Sequence, residues 1–214
     1  MKHPAKYSDC LLPVFREMLN GCEKIFDPFA GTGKLRSVFA NCTLLEIEPE
    51  WAEMSGAIVG DATNMPFMDG EFDAICTSPT YGNRMADHHD AKDTSQRNTY
   101  RHVLGRELSK NNSGAMQWGT GYRELHKKAW LECYRVLKPN GLLCLNISNH
   151  IRKGVEIDVT GWHIETLRNI GFFVIEHRKI ETKRQRMGQN GKSRCQYESV
   201  ILFKKERSLT TAST

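Results

Sequence analysis

Apolar positions along the chain fall into short runs of two kinds, and their alternation predicts a fold. Ile25 and Phe26 lie in a short apolar run that reads as a buried strand ending in a Pro/Gly-rich turn. Residues 33–40 carry Leu35, Val38 and Phe39 at helical spacing. Residues 43–47 read as a second strand, and Pro49 then opens a helix at the position where a missing N–H costs nothing. Short strands follow at 57–59 and 72–77. Residues 122–137 place Leu125, Ala129, Trp130, Cys133 and Val136 on one helical face, which Pro139-Asn140-Gly141 ends. Residues 142–147 form a fifth strand. Thr160 is placed to cap a helix that runs to Ile170 and stops at Gly171. Strands at 172–180 and 198–203 complete the series.

Strand, helix, strand, repeated, predicts an α/β fold: a parallel sheet with helices on both faces. Two strands in succession at the end make one of them antiparallel, so the expectation is seven strands, mainly parallel. The chain reads as one domain over 1–207, followed by a small polar tail at 208–214 expected to be disordered. Two stretches interrupt the pattern. Residues 82–121 are polar and too long for an ordinary loop. Residues 178–194 are a basic hairpin in which Arg178, Lys179, Lys183, Arg184, Arg186, Lys192 and Arg194 face only Glu181.

Charge and cysteine content narrow the setting. The net charge of +5 is a mild basic excess, weak evidence by itself for a polyanionic partner. The seven cysteines form no CxxC pair and several lie in apolar segments, so reduced, buried thiols are expected. No apolar run approaches the roughly 20 residues that span a bilayer, and residues 1–7 lack the apolar stretch of a signal peptide. An intracellular, cytoplasmic protein with no membrane partner is the expectation.

Candidate chemistry gathers where strands end. Asp27-Pro28-Phe29-Ala30-Gly31-Thr32-Gly33 lies where the first strand turns into the first helix, the ligand position of a doubly wound sheet. A P-loop is disfavoured: it needs Gly where Pro28 stands and Ser or Thr where Leu35 stands. A dinucleotide fingerprint is also disfavoured, because Arg36 occupies its third small position. A second acidic turn, Leu45-Glu46-Ile47-Glu48, places Glu46 where a carboxylate accepts ribose hydroxyls. A third, Gly60-Asp61-Ala62, places Asp61 to accept from an adenine amino group. Three such turns on one rim describe an adenosine pocket without a phosphate site.

The ordered set Asp-Pro-Phe-Ala-Gly-Thr-Gly, Glu-Ile-Glu-Pro, Gly-Asp-Ala and Ser78-Pro79-Thr80-Tyr81 resembles the DNA amino-methyltransferases, which modify the adenine 6-amino or cytosine 4-amino group. The resemblance covers roughly residues 3–204 and extends to His3-Pro4-Ala5-Lys6-Tyr7-Ser8, a segment that in the family packs over the methionine end of the cofactor. It implies a Rossmann-like methyltransferase fold and S-adenosylmethionine as cofactor, with S-adenosylhomocysteine as product. Its implied contacts are Lys6, Tyr7, Asp27, Phe29, Ala30, Gly31, Gly33, Glu46, Ile47, Asp61, Ala62 and Ser78. Small solitary bacterial or phage methylases are the implied kind.

Chemistry gives the tetrapeptide a role. An exocyclic amine is a poor nucleophile because its lone pair is delocalised into the ring. Ser78 Oγ and the Pro79 carbonyl, aimed at the amine hydrogens, draw it toward tetrahedral geometry. Tyr81 is expected to stack on a base taken out of the helix. The sequence departs from the family pattern at Thr80, where Pro is usual, and altered rigidity is expected. A ring-carbon methyltransferase is disfavoured, since no Pro-Cys pair supplies the thiolate.

The interruptions supply the DNA-binding candidates: Arg84, Arg97, Arg101 and Trp118 in the insertion, with Arg106, Lys110 and Arg123 beside them, and Lys183, Arg184, Arg186, Lys192 and Arg194 in the hairpin. With no room for a separate recognition domain, these segments or a homodimer partner must read the target. Asp87-His88-His89-Asp90 has no third soft ligand spaced nearby, so no metal is expected. His150 and His163 have no partner assignable from sequence. Two other readings stay open: an RNA enzyme, since Tyr81-Gly82-Asn83-Arg84 also resembles transfer-RNA guanine 2-amino methyltransferases, and a non-catalytic binding protein on the same fold.

Overall fold

The computed structural model describes residues 7–82, 103–152, 154–182 and 195–206. A seven-stranded sheet runs through them: β1 (Ile25–Asp27), β2 (Thr43–Glu46), β3 (Ile58–Val59), β4 (Phe72–Thr77), β5 (Leu137–Ile147), β8 (Phe172–Glu181) and β9 (Tyr197–Lys205), in the spatial order β3-β2-β1-β4-β5-β9-β8. A separate two-stranded ribbon pairs β6 (His150–Arg152) with β7 (Val155–Ile157). The pairs β1–β2, β1–β4, β2–β3 and β4–β5 are parallel, whereas β9 is antiparallel to both β5 and β8. One strand, β9, therefore runs against the rest, as the two successive terminal strands predict.

Side-chain alternation in the central strands divides the core between the two faces of the sheet. Ile75, Leu143, Leu145, Ile201 and Phe203 join one buried cluster with Trp130, Cys133 and Val136 of α3 (Thr120–Val136) and Val159 and Leu167 of α4 (Val159–Ile170). Ala74, Cys76, Cys144, Val200 and Leu202 join the other, with Phe15 of α1 (Leu12–Met18) and Leu11. The helix α2 (Pro49–Ser55) starts with Pro49 in its first turn and buries Trp51. The cysteines are free; Cys42, Cys76, Cys133, Cys144 and Cys195 are buried.

Several local readings change, among them the start of β5, which lies at Leu137 and not at 142, so that Pro139-Asn140-Gly141 fall within the strand. The helix expected at 33–40 is a short 3-10 turn, Lys34–Ser37. Of its apolar residues only Leu35 is buried, leaving Val38 and Phe39 half-exposed, so too little apolar area is covered to sustain a longer helix. Helix α4 is capped by Asp158, whose carboxylate accepts from Gly161 N at 2.9 Å; Thr160 lies inside the first turn. The β6–β7 ribbon was not anticipated. The insertion is not wholly irregular: Ser113–Ala115 form a 3-10 turn whose cap is Asn112, accepting from Gly114 N. Arg84, Arg97, Arg101, the Asp87 to Asp90 stretch, the hairpin cations Lys183, Arg184, Arg186, Lys192 and Arg194, and the 208–214 tail all lie outside the described residues.

Candidate active site

The sheet brings the ends of β1, β2 and β4 to one rim, because these strands are parallel neighbours. Asp27 ends β1 and is fully buried. Its Oδ1 accepts from Phe29 N at 3.0 Å and from Thr77 Oγ1 at 2.7 Å, and its Oδ2 from the Tyr7 hydroxyl at 2.8 Å. The Thr77 bond is architectural: it ties the glycine turn to the residue before Ser78, so the two candidate sites share one rigid joint. Burial pushes the Asp27 carboxyl up to about 6, against the opposing hydrogen bonds from Thr77, Phe29 N and Tyr7. Burial first, and then Asp27, pushes the Tyr7 phenol upward, so Tyr7 stays a donor.

Glu46 ends β2. Its carboxylate accepts from Gly31 N at 2.8 Å and Glu48 N at 2.9 Å, bracing the glycine turn from below. Gly31 and Gly33 lie at φ +53° and +72°, a conformation L side chains rarely adopt. Burial raises Glu46 to about 7. A carboxyl whose folded value is raised favours folding most when protonated, so this contribution is full below about 4.5 and is lost as pH rises through 7. Glu46→Gln cannot titrate but strands one of the two backbone N–H donors at every pH, so its stability relative to the wild type should start lower at pH 4 and improve by up to about 3 kcal/mol between pH 5 and 8. Denaturant midpoints of both proteins across that range check it.

Asp61 follows β3. Its Oδ1 accepts from Thr63 N and Thr63 Oγ1 at 2.8 Å each, and its Oδ2 from Asn111 Nδ2 at 2.6 Å. That last bond comes from the insertion. So do the bonds to Glu48, which sequence reasoning passed over in favour of Glu46. Glu48 is fully buried and accepts from Ser109 N, Ser109 Oγ, Asn112 Nδ2 and Arg106 NH2, at 2.7 to 3.1 Å. Arg106 also pairs with Glu50. This cation is thus committed to the rim, a different role from the base-reading surface expected of it. Ile47 and Ala62 lie within the same turns.

The tetrapeptide leaves β4. Ser78 Oγ donates to Asn146 Oδ1 at 2.9 Å, and the Tyr81 hydroxyl donates to Glu198 Oε2 at 2.9 Å. Asn146 Nδ2 donates in turn to Ser199 O at 3.3 Å. With its single proton held by Asn146, Ser78 presents lone pairs as an acceptor. Tyr81 is anchored at its hydroxyl, so its ring is fixed at one end. Thr80 Oγ1 donates to Ser113 Oγ at 2.9 Å, and the Tyr122 hydroxyl donates to Thr80 O at 2.6 Å. Trp118 packs near Tyr122 (centroids 5.3 Å apart) and edge-on to Trp162 (5.7 Å), with Arg123 over its ring. A Cβ on Gly82 would meet the Trp118 backbone at 3.0 Å, so this turn needs glycine twice over, for space and for its φ of +66°.

His163, assigned no partner from sequence, lies between Trp130 Nε1 at 3.0 Å and the Tyr122 hydroxyl at 3.1 Å. Asn146, Glu198, Glu48, Tyr122 and His163 are the residues that sequence reasoning missed. A polar Asn inside the apolar run Leu143 to Ile147 was the one available signal.

The acceptor set on this rim selects a ligand class. Four buried or half-buried carboxylates, Asp27, Glu46, Glu48 and Asp61, line the rim, and the cations beside them, Arg106 and Lys34, are already paired. Such a set matches a ligand rich in N–H and O–H donors, or positively charged, and does not suit phosphate.

Comparison with known proteins agrees with this architecture. The fold is that of a SAM-dependent methyltransferase from Methanosarcina mazei (13% identity, 92% of this chain and 98% of that one, TM-score 0.60). It is also that of a possible histamine N-methyltransferase from Thermotoga maritima (15%, 92% and 87%, TM-score 0.53). The [4+2]-cyclase SpnF superposes equally well (14%, 94% and 82%, TM-score 0.59), so the fold by itself does not fix the chemistry. No curated protein matches the sequence. The family model described as DNA methylase matches residues 72–213, which include the tetrapeptide, and the chain belongs to that family.

Proposed function

We propose that this protein transfers a methyl group from S-adenosylmethionine to the exocyclic amine of a DNA base, the cytosine 4-amino or adenine 6-amino group. The observation that carries the reading is the Thr77–Asp27 bond, which joins an acceptor turn, Ser78 to Tyr81, to a glycine turn braced by carboxylates. Membership of the DNA methylase family supports the DNA target.

The residues that would hold the cofactor are Tyr7, Asp27 and Phe29 to Gly33 around its amino-acid end, Glu46 and Ile47 at the ribose, and Asp61 and Ala62 at the adenine. Lys6 lies outside the described residues. Bound there, S-adenosylmethionine supplies an electrophilic methyl group. Ser78 Oγ accepts a hydrogen bond from one amine hydrogen and the Pro79 carbonyl from the other. This localises the nitrogen lone pair in the direction of attack, so the rate arises from positioning and electrostatics, without a covalent intermediate. The proton that the methylated nitrogen loses passes to water. Ser78 at the first position resembles the cytosine 4-amino enzymes more than the adenine ones. The anchored Tyr81 ring offers a face for the extruded base.

Labelled cofactor offered in parallel to DNA, transfer RNA and protein tests the reading. Label is expected in DNA. Label confined to RNA would move the protein to the RNA-modifying class, and none in any substrate would favour a binding protein.

A further inference from the structure

The turn at 78–81 has proline at its second position only. Proline fixes φ near −65°, whereas threonine leaves φ free, so a catalytic turn carrying Thr80 needs another source of stiffness. We propose that the buried chain Trp130–His163–Tyr122 supplies it, holding the Thr80 carbonyl so that Ser78 and Pro79 keep their aim. Tyr122 and His163 are thus positioning residues for the turn. The proposal rests on the methyl-transfer reading of that turn.

Direction along the chain is set by chemistry. Indole Nε1 only donates, so His163 Nδ1 must accept from Trp130. His163 is fully buried, and burial holds the ring in its neutral form. Its one proton therefore sits on Nε2, which donates to the Tyr122 oxygen. The Tyr122 hydroxyl then has its own proton for a single acceptor, Thr80 O, at 2.6 Å. Each bond polarises the next, and none can reverse without leaving a buried donor facing a donor. Trp130 and Tyr122 project from α3 and His163 from α4, so the turn is fastened to two helices packed on the sheet. A lighter second tether, Thr80 Oγ1 to Ser113 Oγ, runs to the insertion.

Cutting the chain and restoring stiffness by other means tests this. Tyr122→Phe removes the bond to Thr80 and keeps the ring. Its methyl-transfer kcat is expected to fall roughly tenfold to a hundredfold, with the KM for DNA and S-adenosylhomocysteine affinity unchanged. Hydrogen exchange in a peptide spanning residues 78–82 should rise, while exchange in β5 stays as in the wild type. Adding Thr80→Pro should return both kcat and exchange toward wild-type values. Thr80→Val, which cuts only the lighter tether and leaves the core intact, should show the same changes at smaller amplitude. Wild-type exchange at 78–82 in Tyr122→Phe would overturn the proposal. So would a loss of kcat that Thr80→Pro does not repair, since a merely structural role for Tyr122 predicts that. The exchange measurements decide the tether even if the wild type methylates nothing, an outcome that counts against the methyl-transfer reading alone.

Discussion

Ser78→Ala is expected to lower turnover by about a hundredfold to a thousandfold, the range seen when one preorganised electrostatic contact to a reacting group is removed. Ser78 is the side chain whose proton is drawn away by Asn146 Oδ1, which leaves its oxygen as an acceptor. Alanine deletes that acceptor and nothing in the glycine turn, so affinity for S-adenosylhomocysteine, measured by calorimetry, should stay within twofold or so of the wild type. The KM for DNA should also change little, because the contact matters most as the amine changes geometry. A mutant that loses cofactor binding together with turnover would make the cofactor contact implied for Ser78, and not its contact with the amine, the main role of that side chain.

Glu48→Ala carries the largest expected loss of stability, about 3 kcal/mol. Glu48 sits at the N-terminus of α2, but its side chain makes no cap there; it turns to the insertion and accepts from Ser109, Asn112 and Arg106. Alanine strands the buried Asn112 amide and the half-buried Ser109 N–H. Arg106 keeps its pair with Glu50, which limits the cost. The damage should be local as well as global. Protection from hydrogen exchange over 106–115 should fall first, freeing Asn111 from Asp61 and weakening cofactor affinity. Unchanged exchange in that stretch would show that the insertion is held there by other contacts.

The sheet was legible because its strands are short apolar runs, and the rim because its acids stand just beyond those runs. Strand order was not, since periodicity says which residues are buried and nothing about which strand neighbours which. Glu46 and Asp61 were found as strand-end acids, but their partners were not foreseeable. Gly31 N, Asn111 and Thr63 reach them through tertiary approach or a tight local turn. His163 shows the limit most clearly. On its own helix it is one polar residue on a largely apolar face, and its partners Tyr122 and Trp130 lie 41 and 33 residues away. Glu48 was misjudged because nothing local distinguishes a buried carboxylate from the half-exposed Glu50 two positions on. The short 3-10 turn at Lys34–Ser37 replaced an expected helix because spacing alone does not reveal how much apolar area is covered.

The most direct test of methyl transfer is mass analysis of nucleosides from DNA incubated with the protein and S-adenosylmethionine, with Ser78→Ala alongside. N4-methylcytosine or N6-methyladenine nucleosides are expected in the wild-type reaction, with a near-complete loss of that signal in the mutant. Methylation at a ring carbon, or an equal yield from Ser78→Ala, would contradict this expectation.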